Sequence, residues 1–374
     1  MIGRDTSHRD RVNLALAFKL TDRVPKDFAA TPEIWDNLLS HFAITSREQV
    51  LKKLDVDCRV VSYDSFCEPP DVDEKKIDMT VSKERSSVGG MWRKLEPDGS
   101  HRDIWGAHRQ QISTHFGVTD QFASFPLESA NTVDDLKRYH WPSPEWWNFK
   151  DLRSTIQQLN DEAIYHIRYR IGSVFETAWS LYDFERFMFD LALAPEKPVY
   201  VMERIAEVHL ENLRVVLEAA GDLIDMVYFY DDIASQDGLL LSPIMYEKHI
   251  QPFHQQLIDL ATHYGKPVMM HCCGSIYPLI ERFIDMGLTV LGPIQTSAKD
   301  MHPGKLVEAF GDRIVFHGGI DIQKFLPYAN PTEVRDHVKY VKSIMSKNGG
   351  YILAGSHHIQ PDTPVENVLA MYDL

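Results

Sequence analysis

The chain has 374 residues, 44% of them hydrophobic and 25% charged, and a formal net charge of −15. That length suffices for a large buried core, while the acidic balance, with no basic stripe interleaved with aromatics, argues against nucleic acid as a partner. No stretch approaches the roughly 18 consecutive apolar residues of a membrane span, and the opening MIGRDTSHRDRVNLALAFKLTDRVP lacks the apolar centre of a signal peptide, so a soluble cytoplasmic protein with no membrane partner is expected.

After this N-terminal extension, VDCRVVSY (56 to 63) reads as the first strand. Residues 70 to 150 then depart from any regular rhythm. Beta-like runs separated by Gly89-Gly90 and by a turn at Pro97-Asp98-Gly99 predict antiparallel ribbons over 78 to 109, a candidate lid or homodimer contact inserted after the first strand. TVDDLKRYHWPSPEWW predicts a short helix capped at Asn131 or Thr132, followed by a segment whose Trp141, Trp146 and Trp147 pack on the exterior.

From about residue 160, short apolar runs alternate with longer amphipathic ones. IYHIRYRI (164 to 171), DMVYFY (225 to 230), KPVMMH (266 to 271), LTVLGPI (288 to 294), RIVFHG (313 to 318) and GYILAG (350 to 355) each read as a buried strand. Between them lie helices with defined ends, one closing on Gly221 and another opening at Ser242-Pro243. Strand and helix in alternation predict a parallel sheet. A strand count near eight favours a closed (β/α)8 barrel of the TIM type over an open doubly wound sheet, and no GxGxxG or P-loop pattern follows any strand. The expected organisation is one barrel domain over 1 to 374, with the insertion at about 70 to 150.

Chemistry in such a barrel gathers where strands finish. The predicted strand ends carry Asp231-Asp232, His271-Cys272-Cys273-Gly274, Gln295, Gly318 to Asp321, and Ser356-His357-His358. Along a strand, side chains at i and i+2 share a face, so His271 and Cys273 point together while Cys272 points away. Imidazole and thiolate are good ligands for a borderline-soft ion such as zinc. A third ligand must come from another strand end; His357 is the first candidate, with His358, Asp232 and Cys67 behind it. One of Asp231 and Asp232 is expected to cap a turn and the other to work in the cavity. Cys58 and Cys67 read as buried core residues.

Across HCCGSIYPLIERFIDMGLTVLGPIQ, FHGGIDIQKFLP and GGYILAGSHHIQPDTPVENVLAMY, and backward to SHRDRVNLALAFKLTDRVP, the sequence resembles the uroporphyrinogen decarboxylase superfamily. The resemblance implies a (β/α)8 barrel with its site at the carboxyl-terminal rim, and two chemistries. The true decarboxylases use no metal and hold an acidic tetrapyrrole with an arginine-rich N-terminal motif and an aspartate after the first strand. Here the first strand runs VDCRVVSYDSF, with Asp64 in an altered setting and no RQAGR-like segment before it. The other branch, corrinoid-dependent methyltransferases, binds Zn2+ through His-x-Cys-Gly and a later cysteine. His271, Cys273 and Gly274 match the first part, and His357 stands where the family cysteine would fall.

A neutral imidazole in place of a thiolate makes that site one unit more positive. The resemblance thus implies a zinc-dependent methyltransferase acting between a corrinoid on a partner protein and a small-molecule substrate, with porphyrinogen decarboxylation as the alternative. The expected metal ligands are His271, Cys273 and His357. Asp232, Gln295 and Asp321 are the candidate catalytic groups; Tyr63, Glu176, Asp231, His317 and His358 are the candidate substrate contacts.

Overall fold

The computed structural model describes residues 6–70, 92–114, 117–162 and 164–373. Strand β1 (Cys58–Ser62) is followed by an antiparallel ribbon of β2 (Lys94–Leu95), β3 (His101–Arg102), β4 (His108–Thr114) and β5 (Gly117–Ser124). Then come β6 (His166–Arg170), β7 (Met226–Tyr230), β8 (Val268–His271), β9 (Val290–Ile294), β10 (Val315–Ile320) and β11 (Tyr351–Gly355). The seven strands outside the ribbon form one parallel sheet in the order β1-β6-β7-β8-β9-β10-β11, the arrangement of a (β/α)8 TIM-type barrel. Because β1 pairs directly with β6, the ribbon β2–β5 between them stands outside the barrel wall.

The ribbon runs on to Ser124, past the expected limit at 109. Its turn lies where expected, with Gly99 at φ +86, whereas Gly89-Gly90 falls outside the described residues. The short helix Val133–Lys137 starts at Thr132, whose hydroxyl and the Asp135 carboxylate form a capping box.

Residues 25–27 supply the eighth stave, which the sequence reading missed. The Leu353 N–H donates to the Pro25 carbonyl at 2.8 Å, the Asp27 N–H to the Leu353 carbonyl at 2.8 Å, and the Asp57 N–H to the Lys26 carbonyl at 2.9 Å. This segment is therefore hydrogen-bonded to β11 on one side and to the residue before β1 on the other. It is short and begins with a proline, so it carries no apolar run long enough to register as a strand.

The barrel interior is layered. At the end where strands begin, Cys58, Met226, Met269, Val290, Val315 and Ile352 form an apolar floor against Val12 of the helix His8–Leu16. That helix is held by the buried Asp57 carboxylate, which accepts from Arg11 at 2.6 Å, Arg23 at 2.7 Å and His8 at 2.8 Å. One layer higher, Arg168 reaches Asp27 at 2.7 Å, and His317 Nε2 reaches the same carboxylate at 2.8 Å. Burial opposes ionisation of Asp27, but Arg168 and His317 outweigh it and hold the carboxyl below its ordinary range. Among the described residues no helix is long and apolar enough to cross a membrane.

Candidate metal centre and substrate cavity

Strand β8 ends at His271, and the turn beyond it is fixed from three directions. Gly274 has φ +88, and a Cβ there would lie 2.5 Å from the Ser235 carbonyl oxygen, so any side chain would displace backbone. The Gln295 side-chain oxygen accepts the Gly274 N–H at 2.9 Å, and the Asp232 carboxylate accepts the Cys273 N–H at 2.7 Å. Held this way, Cys273 Sγ comes 3.2 Å from His271 Nε2, while Cys272 is fully buried. His357, just beyond β11, brings its ring centroid to 5.6 Å from that of His271.

The ligand atoms of His271, Cys273 and His357 all lie within 4.8 Å of one another. Bonds of about 2.0 Å to nitrogen and 2.3 Å to sulfur place tetrahedral zinc donors roughly 3.3–3.8 Å apart. The observed spacing brackets that range, so the trio fits such an ion with small side-chain rotations. Burial, then the neighbouring imidazoles of His357 and His358, hold His271 well below its ordinary pKa; burial lowers His357 as well. Both rings are therefore in the neutral, ligating form. Burial, then the nearby Asp232, pushes the Cys273 thiol up, so loading a cation there is coupled to release of a proton.

The remaining nitrogen of His271, Nδ1, lies 3.3 Å from the Tyr228 hydroxyl. With Nε2 directed at the cluster, Nδ1–H is the donor in this bond. Tyr228 was absent from the sequence reading, although DMVYFY carried the signal: Met226, Tyr228 and Tyr230 alternate with Val227 and Phe229 on one face of β7.

A cavity of about 310 Å3 opens above the trio. Tyr63, Glu176, Asp232, His271, His357 and His358, all expected at the site, line it. So do Trp92, Asp103, Trp105 and Arg109 of the inserted region, which makes the ribbon a wall of the cavity. Arg170, another residue the sequence reading passed over, pairs with Asp64 at 3.2 Å, and Arg109 pairs with Asp103 at 2.9 Å. The Glu176 carboxylate accepts the Asp232 N–H at 2.7 Å. Burial, then Asp232 and Asp231, push Glu176 well above its ordinary pKa, and burial likewise raises Asp232. Burial takes the His358 ring down to about 3.

Four expected site residues are placed elsewhere. Asp231, expected as a substrate contact, is fully buried and its carboxylate is saturated. It accepts the N–H groups of Val174, Phe175 and Glu176 at 2.8–3.0 Å, where the helix Phe175–Tyr182 begins, and His254 Nε2 at 2.8 Å. Gln295 does not line the cavity, because its side-chain oxygen is taken by Gly274 and by Gln236 at 2.6 Å. Asp321 is also off the cavity; its carboxylate accepts the Gln323 N–H at 2.8 Å and closes the turn after β10. His317 lines a smaller space of about 70 Å3 beneath the trio, bound to Asp27. Cys67, a reserve ligand candidate, is buried in a bridge to Trp147.

Residues 118–374, more than half of the chain, match the family described as uroporphyrinogen decarboxylase (URO-D). The chain belongs to the uroporphyrinogen decarboxylase family. Within that family it is 25% identical to the uroporphyrinogen decarboxylase of Geobacter sulfurreducens over 48% of this chain and 49% of the other. It is 26% identical to the methylcobamide:CoM methyltransferase MtaA of Methanosarcina barkeri over 44% of each. The chain thus spans about half the length of the curated relatives it matches. Among solved structures, a methyltransferase from Methanosarcina mazei shares the fold, with a TM-score of 0.62 at 17% identity over 99% of this chain and 98% of the other.

Proposed function

We propose that this uroporphyrinogen decarboxylase family member is a zinc-dependent methyltransferase that moves a methyl group between a corrinoid on a partner protein and a small molecule. The observation that carries the reading is the convergence of His271, Cys273 and His357, of which His271 and His357 line the cavity. It is supported by similarity to the MtaA methyltransferase of Methanosarcina barkeri. Zinc held by these residues would supply Lewis acidity to a donor atom of the small molecule.

The chain's own residues account for the rest. Tyr228 orients the His271 ring, and Asp232 fixes Cys273 through its N–H while keeping a carboxylate 3.8 Å from His271 Nε2. Glu176 braces Asp232 in turn. Aromatic side chains line the space in which the methyl group would travel.

Porphyrinogen decarboxylation is the alternative, and the two described cavity arginines bear on it. An octacarboxylate needs several free cations, whereas Arg109 and Arg170 each already face a carboxylate. The deciding experiment is metal analysis of protein purified without added metal. About one zinc per chain is expected, lost in Cys273→Ala and His357→Ala and retained in Cys272→Ala; zinc retained by all three variants would refute the ligand assignment.

A further inference from the structure

The cavity above the trio is lined by five aromatic rings apart from Tyr228: Tyr63, Trp92, Trp105, Trp179 and Tyr230. Its described charged groups, apart from the histidines, are the carboxyls of Asp64, Asp103, Glu176 and Asp232 and the guanidiniums of Arg109 and Arg170. Both guanidiniums are matched, by Asp103 and Asp64 respectively. Glu176 and Asp232 remain, and neither forms an ion pair with a Lys or Arg among the described residues; Glu176 accepts the Asp232 N–H and feels Arg109 only at longer range, while Asp232 accepts from the N–H and thiol of Cys273 and lies 3.8 Å from His271.

The charges at the trio allocate one of these two. Two neutral imidazoles and a thiolate on a dication leave one positive charge, which Asp232 balances beside His271. Glu176 is left over, partly buried and without an ion-pair partner among the described residues. Its environment favours a ligand that brings a positive charge without needing hydrogen bonds, because aromatic faces attract a diffuse cation through the ring quadrupole. An amine or guanidinium would give up more hydration against the aromatic walls than a methylated cation does. A methylated onium has little hydration to lose.

Resting on the methyl-transfer reading, we propose that the small molecule bound in this cavity is an organic cation bearing N- or S-methyl groups, a quaternary ammonium or a sulfonium, held by the aromatic walls against Glu176. A positive charge brought beside that carboxyl favours its ionised form, so binding also pulls a proton off Glu176.

Calorimetric titration of the full-length, zinc-loaded chain tests this, with tetramethylammonium and trimethylsulfonium as separate probes. A third comparison sets choline against 3,3-dimethylbutanol, in which a carbon replaces the charged nitrogen. Choline should bind at least tenfold more tightly than the neutral isostere, and the stronger of the two simple cations identifies the ammonium or sulfonium source. Glu176→Gln should erase most of that preference. Trp105→Leu, on the inserted ribbon, should weaken choline about tenfold with unchanged zinc content, and it serves if the Glu176 variant does not fold. Equal affinity for choline and its isostere, or tighter binding of the isostere, overturns the proposal. That result with zinc still bound leaves methyl transfer standing, whereas cation preference in a chain that binds no zinc would remove the metal reading instead.

Discussion

The Tyr228 hydroxyl lies 3.3 Å from Nδ1 of His271, on the side of the ring opposite Cys273. This contact orients the ring with Nε2 towards Cys273, and partners of this kind change metal affinity by about 10–100-fold. Tyr228→Phe should therefore bind zinc roughly tenfold more weakly in competition with a chelator, with an unaltered circular dichroism spectrum. Unchanged affinity would mean that packing alone orients the ring.

Neighbouring Asp231 and Asp232 have opposite duties. Asp231 ties the start of the helix Phe175–Tyr182 to His254, so Asp231→Ala would strand three buried N–H groups and an imidazole. A loss of about 3 kcal/mol is expected, seen as a lower urea midpoint. Asp232→Asn keeps a side-chain oxygen for the Cys273 N–H, and should leave the midpoint nearly unchanged while weakening zinc binding.

Asp64 provides a pH test away from the metal trio. Burial, against the pull of Arg170, raises its carboxyl from 3.8 to about 6. The folded chain thus holds this proton more tightly than the unfolded one. Stability from this group is fully present below pH 3.8 and is lost as pH rises through 6, a change of roughly 3 kcal/mol. The stability of the native chain relative to Asp64→Asn should therefore improve as pH falls from 7 to 4; a flat difference would show that Asp64 titrates normally.

Strand positions and the His271-Cys273 pair were legible because period-2 alternation and short-range spacing are written locally in the sequence. The joining of His357 to that pair depended on the barrel bringing β8 and β11 round one rim, which the strand count anticipated. Arg170 and Arg168 were overlooked because HIRYR was read as a buried run, although His166, Arg168 and Arg170 alternate onto the inner face of β6. Gln295 and Asp321 lie off the cavity for a different reason. A polar residue at a strand end is as useful for pinning a turn as for touching a ligand, and only the hydrogen bonds decide. The cavity aromatics Trp92 and Trp105 come from an excursion whose docking no local pattern encodes.

Residues 25–27 complete the cylinder by main-chain bonds rather than by an apolar strip. A form of the chain shortened past residue 31 would be split along one seam, with the outer rims of β1 and β11 left as bare rows of amides and carbonyls. Such rims invite a second molecule to add its own strand, and the same cut removes Asp27, the counter-charge of Arg168 and the hydrogen-bond partner of His317 directly under the metal trio. Damage at the leading end would thus reach the catalytic end as sticky, self-associating protein with an unbalanced interior.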